Sequence, residues 1–403
     1  MAGLYIHIPF CESRCIYCGF YSTTTLNKRE DYVDALCREM ELRPIQQELG
    51  CNESIQTIYL GGGTPSQLSA QQLIKLFDAI KQNYNYTKDM EITMECNPDD
   101  VTEEFCETLR QFPINRISMG AQTFSEQRLR FLHRRHTAQE VTLAIKRLRN
   151  IGIKNISIDL MYGFPNETLA DWQSDIEQAI QLNVEHISAY CLMYEEGTAL
   201  YRMLTEGKIK ETEEETTRQM YEMLITRLTQ AGYEHYEISN FARPGYYSRH
   251  NNSYWHEVAY IGLGAAAHSY RRLASNLNTT DKEDKTKYST VSQKYTLVER
   301  SWNVENIQKY IDCIKQGQLP SEKEELDINT RFNELIMTAL RTQEGIDLEK
   351  MKQEFGLNLY QKLIEDSHSY ISQDMIKIDG NHLSLTNKGI FISDYIMSDL
   401  MIV

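Results

Sequence analysis

Residues 4–18 read LYIHIPFCESRCIYC. The first six are apolar, β-branched or aromatic and close on a proline, so they read as a strand. The next nine hold Cys11, Cys15 and Cys18, which places a cysteine triplet in the loop just after that strand. Similar short runs recur at 57–60 (TIYL), 91–95 (EITME), 116–119 (RISM), 155–160 (NISIDL) and 186–191 (HISAYC), each bounded by Gly, Pro or Asn. Helix-length segments separate them. In the first, Tyr32, Ala35, Leu36 and Met40 recur at helical spacing; others run near 70–84, 102–111, 138–150 and 168–182. Six strand–helix units with no hairpin signal between them predict a parallel sheet with right-handed crossovers. An open or partial barrel and a doubly wound sheet both satisfy this pattern. Both place a ligand at the C-terminal ends of the strands.

The rest of the 403 residues is less regular. Together with a long amphipathic helix over 211–231, the strand–helix units make a core domain over 1–232. An irregular, aromatic-rich stretch and a charged segment at 281–287 (DKEDKTK) fill 233–294. Residues 295–403 read as a smaller mixed domain, with helical patterns near 304–316, 328–341 and 347–355 and a β-like run at 376–385. That order is winged-helix-like. A role in DNA binding is not expected, because 321–403 carry eight Lys and Arg against fifteen Asp and Glu, and the whole chain has a net charge of −15. No nucleic-acid partner is therefore expected. The first residues lack a charged and then apolar leader, and no run of about 18 apolar residues exists to span a membrane.

Nine cysteines scattered over a chain without a leader do not make a disulfide framework. Three within eight residues need another explanation. Thiolates this close can wrap a soft metal centre. A structural zinc site normally takes four ligands, and no nearby His or Cys pair supplies the fourth. Three ligands are what a [4Fe–4S] cluster needs if one iron is to stay open. An open iron can chelate the amino and carboxylate groups of S-adenosylmethionine.

The spacing Cys11-x3-Cys15-x2-Cys18, with Tyr17 before the last cysteine, resembles the signature of the radical SAM superfamily. Other motifs sit at strand ends. Gly61-Gly62-Gly63-Thr64-Pro65 reads as a tight turn or as a backbone cradle for a ligand. Glu95 and Asp159 end the third and fifth strands, as surface acids or as acceptors for ribose hydroxyls or an amino group. Gln122 follows the fourth strand. Arg134 lies in a basic knot, LHRRH, that is either a solvated helix end or a carboxylate binder.

In order and spacing, this set resembles the branch that holds oxygen-independent coproporphyrinogen III oxidase and the HemW-type haem chaperones. The resemblance covers nearly the whole chain. It implies a partial (βα)6 TIM-like barrel with a smaller C-terminal domain. It also implies an S-adenosylmethionine pocket lined by Tyr5, Phe20, Gly62, Gly63, Thr64, Glu95, Gln122, Arg134 and Asp159. Three features favour the chaperone side. The oxidase has a further cysteine two positions after the third, where this chain has Phe20. It carries a long N-terminal extension, whereas ten residues precede Cys11 here. His250-Asn-Asn-Ser-Tyr254-Trp255 matches the H-N-x-x-Y-W motif associated with the chaperones. His250 is thus a candidate axial ligand for haem, with His268 as a second contact or a structural histidine. The expected activity is haem binding and delivery to acceptors such as respiratory enzymes, from the cytoplasm with peripheral contact to the membrane. The alternative is a radical SAM enzyme acting on a tetrapyrrole, in which Arg134 would anchor propionates.

Overall fold

The computed structural model describes residues 2–49, 54–274 and 296–402. Six parallel strands form the centre: β1 (Ala2–Ile8), β2 (Ile55–Gly62), β3 (Tyr86–Cys96), β4 (Arg116–Gln122), β5 (Asn155–Tyr162) and β6 (His186–Cys191). They lie side by side in chain order. A doubly wound sheet would reverse direction at a switch point, so this order excludes it and leaves the open barrel wall. The strands alternate as a two-sided wall requires. Leu4, Ile6 and Ile8 are fully buried against the outer helices, while Tyr5 and His7 turn inward.

The crossover helices start where the sequence offers caps. Ser69, Thr137 and Thr168 each accept from the backbone N–H three residues on, and Gln72, Glu140 and Asp171 return the bond. The apolar stripes of these helices, such as Leu73, Leu76, Ala79 and Ile80, pack onto the outer face of the sheet.

Over its described residues, 233–274, the stretch expected to be irregular instead holds short strands and a helix. β7 (Glu234–Glu237) and β8 (Asn240–Ala242) add antiparallel to β6. β9 (Tyr260–Leu263) pairs parallel with β1 on the other side. β10 (His268–Ala274), β11 (Thr296–Asn303) and β12 (Ser321–Glu325) extend that edge antiparallel, giving a twelve-stranded sheet. These strands are short, or mix charged with aromatic residues, so neither period dominates their sequence. The charged segment 281–287 lies outside the described residues.

Residues 296–325 thus belong to the large sheet, and Tyr310 and Ile314 of the helix Ile307–Lys315 join its core. A second core starts further on, at Phe332, and runs through Ile336, Met351, Leu363, Leu383 and Ile396. Around it lie β13 (Ile346–Asp347), β14 (Ile376–Asp379) and β15 (His382–Leu385), in the order β13-β15-β14, with helices before and between them. This is the expected winged-helix-like arrangement. The helix expected over 347–355 is interrupted at Gly356 (φ 85°, ψ 173°), a conformation only glycine adopts readily, and then resumes to Ser372. No described helix is long and apolar enough to cross a membrane.

Candidate functional site

The C-terminal ends of the parallel strands open on a cavity of about 580 Å³. Cys11, Cys15, Cys18 and Phe20 line it from the loop after β1. Gly62, Gly63 and Thr64 line it from the end of β2, Glu95 from β3, Gln122 from β4, Asp159 from β5, and Arg134 from the connection after β4. Of the residues singled out for a cofactor, Tyr5 and His250 do not line this wall.

A chain of hydrogen bonds joins two of the thiols. Thr64 Oγ1 donates to Cys11 Sγ at 3.6 Å, and Asn97 Nδ2 donates to Thr64 Oγ1 at 3.4 Å. Arg134 Nη2 donates to Asn97 Oδ1 at 2.7 Å, while Nη1 donates to Cys15 Sγ at 3.5 Å. Arg134 Nε is buried without a partner among the described residues. Burial holds the Cys11 and Cys18 thiols above their ordinary pKa, and negative charge on a neighbouring cysteine sulfur would add to the rise; a bound cation would take the place of those protons. Among the described residues, no His, Cys, Asp or Glu set converges tightly enough to grip one ion. In a cubane cluster each thiolate holds a different iron, so the sulfurs need to share a wall rather than meet at a point. Three thiols, a hydroxyl and a guanidinium donating to them, and an unpartnered N–H make a donor set that fits such a cluster.

The glycine turn lies pressed on the end of β1. A Cβ on Gly62 (φ 109°) would stand 2.3 Å from the His7 ring, and one on Gly63 would stand 2.7 Å from the Pro9 carbonyl carbon. The turn holds Glu95: Gly62 N donates to Oε2 at 3.0 Å and Tyr59 OH to Oε1 at 2.8 Å. Burial pushes Glu95 up to about 7, opposed by the Tyr59 bond and raised further by the Asp159 charge. Asp159 rises to about 6 by burial, opposed by the Ser188 and Ser118 hydroxyls and the charges of Arg116 and Arg134. Two carboxyls titrating near neutrality in one cleft suit hydrogen bonding to hydroxyl or amino groups of a ligand. Gln122 takes a left-handed backbone (φ 65°) where the register of β4 shifts. A Cβ on Gly120 would stand 2.7 Å from its amide nitrogen.

The remaining candidates lie elsewhere. Tyr5 OH donates to His7 Nδ1 at 2.9 Å, since His7 Nε2 donates to the Tyr21 carbonyl. Its ring lies 6.2 Å from Tyr59 and 6.4 Å from His250, whose rings are themselves 5.1 Å apart, so the three form a cluster behind the residue that holds Glu95. His250 is 1% exposed at the N-terminal end of the barrel. Its Nδ1 pairs with Thr57 Oγ1 at 2.8 Å and its Nε2 with Tyr254 OH at 2.9 Å. Burial lowers its pKa to about 3. With both nitrogens engaged and the ring enclosed, His250 is not presented to a haem iron. The H-N-x-x-Y-W segment is the helix Arg249–Trp255, anchored by Glu91 accepting from the backbone N–H of Arg249 and His250. It plugs the barrel, and only its Asn251 reaches the cavity. Phe20 is on the cavity wall but 71% exposed, and His268 is exposed in a second cavity.

Sequence reasoning passed over Tyr59, Asn97 and Arg116. Tyr59 and Ser118 lie two residues before Gly61 and Gly120 on the inward face, so strand periodicity could have found them. Arg116 is 1% exposed, with Nε and Nη1 unpartnered among the described residues and its charge acting on both Glu95 and Asp159. At the start of a strand it reads as an ordinary surface charge.

Comparison with known proteins agrees with this geometry. The radical SAM superfamily pattern matches residues 5–179, and the HemN C-terminal domain pattern matches 326–392. The chain is 31% identical over 399 residues to the Heme chaperone HemW of Lactococcus lactis, covering 99% of this chain and 97% of that one. It is 34% identical over 362 residues to the Heme chaperone HemW of Bacillus subtilis, covering 89% and 88%. Among solved structures, coproporphyrinogen III oxidase (HemN) from Escherichia coli, a radical SAM enzyme, superposes with a TM-score of 0.80 at 21% identity, over 99% of this chain and 90% of that one. At that identity the match speaks for the fold.

Proposed function

Because the chain belongs to the family of the Heme chaperone HemW within the radical SAM superfamily, we propose that it binds haem and hands it to acceptor proteins. The observation that carries this reading is the extent of the relationship: it spans 99% of the chain, barrel and C-terminal domain together. Phe20 supports it. At the position where the oxidase pattern has another cysteine, this chain has an exposed phenyl ring that cannot bind iron.

The radical SAM family implies a [4Fe–4S] cluster and S-adenosylmethionine. We assign the cluster to Cys11, Cys15 and Cys18, and S-adenosylmethionine to the cavity lined by Gly62, Gly63, Thr64, Glu95, Gln122, Arg134 and Asp159. When bound, the cluster supplies an electron able to split a sulfonium C–S bond. The chain's own contribution is positioning. The glycine turn offers bare backbone, Glu95 and Asp159 offer acceptors, and Arg134 and Thr64 donate to the cysteine sulfurs. Tyr5 acts from behind, bracing the Tyr59 that holds Glu95. Such a cluster survives in a reducing cytoplasm. Acceptors in respiratory membranes would be met by peripheral contact.

The test is anaerobic. Protein with a reconstituted cluster is given S-adenosylmethionine, a strong reductant and coproporphyrinogen III, and in parallel is titrated with haem. The expected outcome is a stoichiometric haem complex and no protoporphyrinogen. Multiple turnovers of product, abolished by Cys15→Ala, would overturn the chaperone reading and make this an oxidase.

A further inference from the structure

With His250 enclosed and turned away from haem iron, the H-N-x-x-Y-W segment still has to be accounted for. The account begins on β2. Thr57 and Tyr59 stand two residues apart on that strand, so both point into the barrel. Thr57 Oγ1 pairs with His250 Nδ1 at 2.8 Å. The imidazole so fixed lies against the Tyr59 ring, with centroids 5.1 Å apart and planes 26° from parallel. Tyr254 closes the other side: its hydroxyl pairs with His250 Nε2 at 2.9 Å, and its ring meets the imidazole edge-on at 5.2 Å. One strand thus supplies both the hydroxyl that orients His250 and the phenol that His250 backs.

Tyr59 carries this arrangement into the cofactor cavity. It lines the wall, and its hydroxyl donates to Glu95 Oε1 at 2.8 Å. Toward the strand end nothing grips the phenol, because the next inward position is a glycine; a Cβ on Gly61 would stand 2.6 Å from Tyr59 Cε1. The ring is therefore aimed from the side of His250 and Tyr5. The residue after His250 in the helix, Asn251, lines the same cavity. Trp255, at the far end of the helix, packs under the Arg341 guanidinium at 5.0 Å, on the C-terminal domain.

Resting on the assignment of S-adenosylmethionine to this cavity, we propose that His250 is a positioning residue for that cofactor, holding the Tyr59 ring where its hydroxyl meets Glu95. The histidine of the motif then serves the cofactor pocket and not the haem cargo. An imidazole suits the place. It offers a flat face to the phenol, and bonds at two ring nitrogens fix its rotation. Burial lowers its pKa to about 3, and the Arg116 charge adds to the fall, so it stays neutral across the pH range of a binding measurement. The groups that face Glu95 are Tyr59 from β2, Arg116 from β4 and Asp159 from β5. A change in the pH profile of binding between variants thus reports the carboxyls and not the imidazole.

The test measures binding without turnover. Each protein carries a reconstituted cluster, matched between variants by its visible absorption, and no reductant is present. The dissociation constant of S-adenosylmethionine is taken by anaerobic equilibrium dialysis at several pH values for wild type, His250→Gln, Tyr59→Phe and the double variant. Tyr59→Phe keeps the ring and removes the bond to Glu95. A hydrogen bond to a charged group is worth roughly tenfold to a hundredfold in an equilibrium, so His250→Gln is expected to weaken binding by on the order of tenfold. Because the Tyr59 bond holds the Glu95 pKa down, the loss of affinity on acidification sets in at a higher pH than in wild type. In the Tyr59→Phe background the same change costs less than about twofold, since both changes act on one bond. Thr57→Val removes the hydroxyl that orients the imidazole; it gives the same pattern, and it takes the place of His250→Gln if that variant does not fold. Equal weakening in both backgrounds, or a loss with an unmoved pH profile, would mean that His250 only supports the fold, and would overturn the inference. Unchanged affinity in folded His250→Gln would overturn it too. If wild type with a full cluster binds no S-adenosylmethionine, the cofactor reading itself fails, and this inference with it.

Discussion

Glu95 shows how a cofactor cleft is set against the stability of the chain that carries it. Burial raises its pKa from the ordinary carboxylate value to about 7. A raised folded-state pKa means that the group favours the folded state below about 4.5, and that this contribution drains away as pH rises through about 7. Glu95→Gln should therefore stabilise the cofactor-free protein at pH 8 by on the order of 2–3 kcal/mol and give no gain at pH 4.5. Urea midpoints at the two pH values check this; an equal gain at both would mean that the carboxyl is not perturbed. The same change should weaken S-adenosylmethionine binding, because an acceptor becomes a donor. Arg116 works against this loss. Buried without an ion-pair partner among the described residues, it stands where its charge keeps Glu95 and Asp159 from rising further.

At the scale of elements, the glycine turn and the strand ends decide the site. Gly63→Ala drives a methyl group into the backbone of Ile8, Pro9 and Phe10, which cannot swing aside. Its expected cost is about 2–3 kcal/mol, read as a lowered denaturant midpoint. Gly197→Ala is the contrast. Among the described residues nothing stands within 4 Å of its Cβ, so only its left-handed backbone (φ 89°) is strained, for about 1–2 kcal/mol. Equal costs would show that the turn after β2 is not pressed on β1. The six parallel strands, the crossover helices and the cavity residues at the strand ends were legible because motif and period coincide there: the triplet, the glycines, Glu95, Gln122 and Asp159 each close an apolar run. β7 to β12 were not legible. Their residues are chosen by the neighbours they meet across the sheet, as in the His268–Trp302 pair, and by a helix that plugs the barrel. The same cause hid the role of His250. Its motif matches a family pattern, but the partners that engage its ring, Thr57 and Tyr254, are fixed by the fold.

For the whole molecule, one buried acid ties the late strands to the first crossover helix. Glu39, 0% exposed, accepts from Gly264 N at 2.8 Å, Asn303 Nδ2 at 2.8 Å and Tyr310 OH at 2.6 Å, and pairs with Arg43. Glu39→Ala leaves these donors unmet in the core, while Arg43 keeps Glu48. The expected loss is about 3–5 kcal/mol, visible as a lower thermal midpoint. A loss under 1 kcal/mol would mean that the late strands hold to the barrel by packing alone. These contacts also set an order in time. β1 lies between β2 and β9, so β1, made before its two neighbours in the sheet, waits for residues 260–263 before both its edges are paired. At roughly 5–20 residues per second, Cys11, Cys15 and Cys18 emerge on the order of 10–50 s before their barrel wall is complete. During that interval the three thiols stand on an unfinished sheet edge, open to oxidants and to stray metals, so iron–sulfur loading is best matched to the end of translation rather than to the appearance of the cysteines.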